Sequence, residues 1–187
     1  MNQNIQKTNL TDSLPVLKYG NPLLRERVRM VEDFTNISEM VSQMNVTMAA
    51  ERGIGLAANQ VGWNLNLMII DTRSYDENEK GEYHIIINAE ILNYEGECSM
   101  EEGCLSIPDI RAEIKRPKTI LLKYQDEENN NKKKYFSGLV SRVIQHEMDH
   151  LNGKLFIDYL PQTKRMLINK RLLEISKKGK PSSAIIL

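Results

Sequence analysis

Apolar residues recur along this chain at two spacings, and the changes between them mark out its elements. Ile37, Met40, Val41, Met44 and Met48 fall three or four apart, the period of a helix with one buried face. Asn36 is placed to open that helix, Glu39 to complete a capping box and Gly53 to end it. Helical spacing accounts for the methionines as core residues. Asn21-Pro22 sets a cap residue before a first-turn proline and predicts a short helix through Val28. Strand-like runs follow at Leu67–Asp71, Tyr83–Asn88, Ile91–Tyr94, Arg111–Lys115 and Thr119–Tyr124. Asp126 to Lys134 is charged, rich in Asn and without apolar residues, and reads as a hairpin loop before a strand resumes at Tyr135-Phe136.

The helical period returns at Leu139, Val143, Ile144 and Leu151. Ser137 or Gly138 can open this helix, and Gly153 can close it in a left-handed conformation. A last helix, Thr163 to Lys178, carries Leu167, Ile168, Leu172 and Ile175 and stops at Gly179 and Pro181. Helices at the ends with hairpin-linked strands between them predict an α+β fold. The chain of 187 residues, 41% hydrophobic, fits one domain over 1–187 with a helical tail at about 162–187.

Composition narrows the setting. The opening segment is polar and lacks the apolar centre of a secretory signal. No run approaches the roughly 18 apolar residues that span a bilayer, so a cytoplasmic protein without a membrane partner is expected. Cys98 and Cys104 are too few for a secreted disulfide scaffold. Net charge is zero but uneven. Residues 162–187 hold seven basic residues (Lys164, Arg165, Lys170, Arg171, Lys177, Lys178, Lys180) against Glu174, a balance of +6 that leaves −6 for the rest. Such a tail suits either a polyanionic partner or a solvated helix face. Nothing points to specific DNA binding.

Chemistry concentrates in His146-Glu147-Met148-Asp149-His150. On a helix, positions i and i+4 share a face, so both rings can reach one cation, with Glu147 beside it as a general base. Two of the chain's three histidines occupy this single turn. A catalytic site of this kind takes a third protein ligand and leaves a position to water, and three residues compete for the role. Glu174 sits in the basic tail with Lys170 and Lys178 four residues either side, which favours a surface ion pair. His84 lies in the apolar run Tyr83–Ile87 and reads as a partly buried strand residue. Cys104 is the strongest candidate, because Gly103 before it removes bulk and lets backbone and thiolate approach an ion. Thiolate with two imidazoles suits Zn²⁺ or Fe²⁺. Cys98 reads as a strand residue.

Three stretches together, Gly53-Ile54-Gly55-Leu56-Ala57-Ala58-Asn59-Gln60, Glu102-Gly103-Cys104-Leu105-Ser106 and Gln145-His146-Glu147-Met148-Asp149-His150-Leu151, resemble the motifs of peptide deformylases in that family's order. The likeness runs from about Tyr19 to Asp158. Asn59 departs from it, standing where the family commonly has proline, and suggests a less stiff loop. The basic tail resembles bacterial members that end in a helix.

The resemblance implies antiparallel sheets packed around a central metal-binding helix. It implies one divalent ion on Cys104, His146 and His150, usually Fe²⁺, with Zn²⁺, Ni²⁺ or Co²⁺ as substitutes. Glu147 would serve as acid and base, the Gln60 side chain and the Leu105 N–H as oxyanion donors, and Ile54, Gly55, Glu102 and Gly103 as the substrate strip. The implied substrate is the N-formyl-methionyl end of newly made proteins, with formate as product. Docking of the tail on ribosomal RNA is a further expectation. Two rivals remain open from the residues alone: a zinc endopeptidase with an acidic third ligand, and a metal-stabilised binding module without catalysis.

Overall fold

The computed structural model describes residues 13–74 and 81–179. Three helices, α1 (Ile37–Ala50), α2 (Gly138–Leu151) and α3 (Gln162–Gly179), accompany seven strands. These are β1 (Gly55–Ala57), β2 (Leu67–Asp71), β3 (Tyr83–Glu95), β4 (Cys98–Cys104), β5 (Ile107–Arg116), β6 (Thr119–Gln125) and β7 (Asn131–Ser137). All pairings between these strands are antiparallel. One sheet has the order β1-β2-β3-β6-β7, and β4 with β5 forms a separate ribbon. This is the expected α+β class.

Strand β2 explains the layering. Leu67, Met68, Ile69 and Ile70 are all buried, and successive side chains point to opposite faces. Met68 and Ile70 meet α2 through Val140, Val143 and Ile144, while Leu67 and Ile69 meet α1 through Val41, Met44 and Met48. The helix with the two histidines is thereby wedged under one face of the sheet. A third cluster joins Ile107, Ile110 and Ile114 of β5 to Leu155, Phe156 and Ile157 and to Leu172 and Ile175 of α3.

Several boundaries differ from expectation, each for a physical reason. The helix expected from Pro22 to Val28 is a single 3-10 turn, Pro22–Arg25, capped as anticipated by Asn21 Oδ1 accepting from Leu23 N–H at 3.0 Å. Beyond it the chain extends, and Val28 N–H donates to the Leu151 carbonyl at the end of α2. Asn36 precedes α1 without a side-chain capping bond. That helix ends at Ala50, and Arg52, not Gly53, takes the left-handed turn at φ 55°.

Tyr83 to Glu95 is one strand where two were expected, because Asn88 at φ 54° makes a bulge instead of a break. Its amide donates to Val31 O and Gln125 Oε1. The predicted loop Asp126–Lys134 shrinks to a turn, since Asn131–Lys134 already pair with β6. These lysines lie on the outer strand, where an apolar side is not required and charge discourages further pairing.

Candidate metal centre and catalytic cleft

Helix α2 delivers His146 and His150 one turn apart, their rings 5.1 Å between centroids. The last residue of β4 brings Cys104 against them, its Sγ 3.1 Å from His150 Nε2. One ligand atom from each of Cys104, His146 and His150 lies within 4.8 Å of the others. The thiolate and two imidazoles converge as a divalent cation requires. Of the two competitors, Glu174 is exposed on α3 and accepts from Arg171 at 3.3 Å. His84 is a part-buried residue of β3, paired with Glu82 at 2.6 Å.

Charge within the cluster follows from its neighbours. Burial opposes ionisation of the Cys104 thiol, but the two imidazoles outweigh it and hold the thiol well below its usual range. Burial likewise opposes charge on His146, and bonds to Cys104 and Glu102 carry it the other way, well above an ordinary histidine. A divalent cation takes the thiolate and neutral imidazoles as ligands, so binding to such a set releases protons.

Behind the rings stands a buried ionic network. His146 Nδ1 donates to Glu102 Oε2 at 2.9 Å, which leaves Nε2 for a cation. Arg116 donates to both oxygens of Glu102 at 2.6 and 3.0 Å, and Arg142 to one of them at 2.8 Å. Those bonds hold the Glu102 carboxyl far below the usual range even though burial works against its charge. Arg116 reaches on to Asp149 at 2.6 Å, and Asp149 accepts from the Tyr159 hydroxyl at 3.0 Å. Glu102 borders the cleft, and its carboxylate is held by the His146 ring and two arginines.

Glu147 follows His146 and is 4% exposed. Burial lifts its carboxyl above the usual range, outweighing the imidazoles that lower it, and its Oε2 is buried without a hydrogen-bond partner. A buried, unmatched carboxylate oxygen next to two ligand rings is poised to take up a proton. Gly55 makes room for it: a Cβ there would lie 2.6 Å from Glu147 Oε1 and 2.5 Å from a Val143 methyl. Gln60 Oε1 accepts from Ala57 N–H at 2.8 Å, which turns Nε2 to Ser106 Oγ at 3.2 Å and toward Cys104 Sγ at 3.8 Å.

A cleft of about 470 Å³ opens over these groups. Ile54, Gly55, Gly103 and Leu105 are among the residues that line it.

Several partners of the site were not foreseen. Arg142 sits on the buried side of α2 one turn before His146, and an arginine there should have signalled a hidden carboxylate. Arg116 and Ser106 left no such trace. Asn59, expected to loosen its loop, is fully buried and donates from Nδ2 to the His150 carbonyl at 2.6 Å, tying the loop to the end of α2.

Comparison with known proteins places the arrangement. The model of the polypeptide deformylase family matches residues 13–166. A peptide deformylase of Flavobacterium johnsoniae is 40% identical over 175 residues, covering 87% of this chain and 89% of that protein. One from Prosthecochloris aestuarii is 40% identical over 164 residues, 87% of this chain and 88% of that protein. The crystal structure of peptide deformylase from Thermus thermophilus superposes with a TM-score of 0.82 at 34% identity, covering 89% of this chain and 99% of that one. A peptide deformylase from Legionella pneumophila gives 0.80 at 32% identity, with 92% and 100% covered. By sequence, by fold and by the motifs that build its metal centre, the chain belongs to the polypeptide deformylase family.

Proposed function

We propose that this chain is a metal-dependent hydrolase that removes the formyl group from the N-terminal methionine of newly made proteins, as one catalytic unit over 1–187. The observation that carries the reading is the convergence of Cys104, His146 and His150 beside a buried Glu147 at the floor of an open cleft. In the reaction, water adds to the formyl carbon, the C–N bond breaks, formate departs and the amine keeps the added proton. A divalent cation on the Cys-His-His set supplies Lewis acidity to the carbonyl and to water.

The chain's own groups do the rest. Glu147 takes the proton of the attacking water at Oε2 and returns it to the leaving amine. Gln60 Nε2 and the Leu105 N–H stabilise charge growing on the formyl oxygen, and losing one such donor typically costs about 10²–10³ in rate. Ile54, Gly55 and Gly103 give a peptide extended backbone to lie against, and Glu102 holds His146. A formyl carbon bears only hydrogen, so crowding around Gly55 excludes larger acyl groups.

Fe²⁺ is the native ion in this reading and Zn²⁺, Ni²⁺ or Co²⁺ its substitutes, which metal analysis of protein purified without oxygen decides. Formate release from formyl-Met-Ala-Ser by such protein tests the activity. Glu147→Gln should keep one cation per chain and lose turnover by at least about 10², whereas a non-catalytic binding module would be unaffected.

The reading places the protein in the cytoplasm, and among the described residues no helix is long and apolar enough to cross a membrane. It also assigns α3 to ribosome docking, on the basic balance of residues 162–187 and on exposed Met166, Leu167 and Leu173. Leu172 and Ile175 are buried, so deleting the tail would open the core. Reversing Lys164 and Lys170 to Glu tests docking more cleanly, through loss of salt-sensitive cosedimentation with ribosomes.

A further inference from the structure

At the mouth of the cleft, a residue with a long side chain holds a backbone conformation that favours glycine. Helix α1 closes with Arg52 N–H donating to the Ala49 carbonyl at 3.1 Å and Gly53 N–H to the Met48 carbonyl at 2.9 Å. This pair of bonds sets the residue after the cap in the left-handed region, where glycine is the usual occupant. Here that residue is Arg52 at φ 55°, and the glycine comes one position later. A disfavoured conformation kept beside a binding cleft points to function.

The surrounding charges point the same way. Lys18 pairs with Glu51 at 3.8 Å, Arg111 with Glu101 on the neighbouring strand at 3.6 Å, and Asp109 with Arg171 at 2.7 Å. Each carboxylate of the mouth thus has a cation. Arg52 lines the same cleft, is exposed, and enters no ion pair among the described residues. It is the uncompensated charge there.

Distance along the chain says which part of a peptide it meets. The reacting end must lie by Gly55, against Glu147. Leu56 and Ala57 beyond it are fully buried, so a chain lying along β1 runs past Ile54 and Gly53 toward exposed Arg52. Three residues of extended backbone span roughly 10 Å, which brings the third or fourth residue of the peptide abreast of the guanidinium.

We propose that Arg52 is a specificity-determining residue that favours acidic side chains at the third and fourth positions of the formyl-methionyl peptide. The inference rests on the deformylase reading above. The test compares kcat/KM on amidated formyl-Met-Ala-Asp-Asp, formyl-Met-Ala-Ser-Ser and formyl-Met-Ala-Lys-Lys, using the metal-loaded full chain. At low ionic strength the Asp peptide should exceed the Lys peptide by about two- to fivefold, the range of an exposed ion pair, and the gap should narrow in 0.5 M salt as screening shortens to roughly 4 Å. Arg52→Gly should bring the ratio to about one while thermal stability holds or rises, since glycine relieves the left-handed turn. Arg52→Glu should invert the ratio. Equal ratios in wild type and Arg52→Glu overturn this inference alone. No turnover of the Ser peptide by the wild-type holoenzyme overturns the deformylase reading and this inference with it.

Discussion

A single carboxylate, Glu102, shows how much one residue can carry here. It is 5% exposed and accepts from Arg116, Arg142 and His146 at once. A carboxylate can satisfy this many donors, whereas an amide offers one acceptor oxygen and two donors of its own. Glu102→Gln therefore leaves buried guanidinium charge short of a partner and frees the His146 ring to turn. We expect a loss of about 3–5 kcal/mol in stability and of roughly 10–100-fold in cation affinity. Urea midpoints and competition with a chelator measure the two. Both rings were legible from their i, i+4 spacing. Their anchor was not, because Glu102 lies 44 residues from His146 and finds it only across the ribbon-to-helix packing.

Among elements, the 3-10 turn Phe156–Tyr159 links the start of the chain to its end. Asp158 accepts from Arg25 at 2.5 and 3.1 Å and from Leu155 N–H at 2.9 Å. Burial opposes its charge, but these bonds prevail and lower its carboxyl below the ordinary value. A carboxylate with a lowered folded pKa contributes stability above its unfolded pKa of about 4 and loses it as pH falls through the folded value. Asp158→Asn should therefore be less stable than wild type by about 1 kcal/mol at pH 7, with the gap closing below about pH 4. Denaturant midpoints from pH 7 to pH 3 check the sign. The strands were readable where burial imposes alternation or an apolar run, as in β2. They were misread at β7, whose lysines face water on the outer edge of the sheet and carry no such pattern.

At the scale of the molecule, α3 is part of the body as well as a basic surface. Leu172 and Ile175 close the cluster that holds Ile107, Ile110 and Phe156, and the Phe156 ring stacks on His146 at 6.1 Å between centroids. Leu172→Ala should destabilise the protein by about 2–4 kcal/mol through the cavity it leaves, read from thermal or urea unfolding. A surface helix without a buried side would show no such loss.

What the residues determined by themselves are the local arrangements: helix periods, the paired rings of one turn, the glycine before Cys104 and the charge of the tail. Neighbouring positions create these through backbone geometry, so no distant contact is needed to see them. Only tertiary structure decided that Glu102, Arg116 and Arg142 stand behind His146, that Asn59 grips the end of α2, and that Arg52 keeps an unmatched charge at the cleft. Those outcomes come from burial, which removes water as a partner and makes each hidden polar group seek another far along the chain.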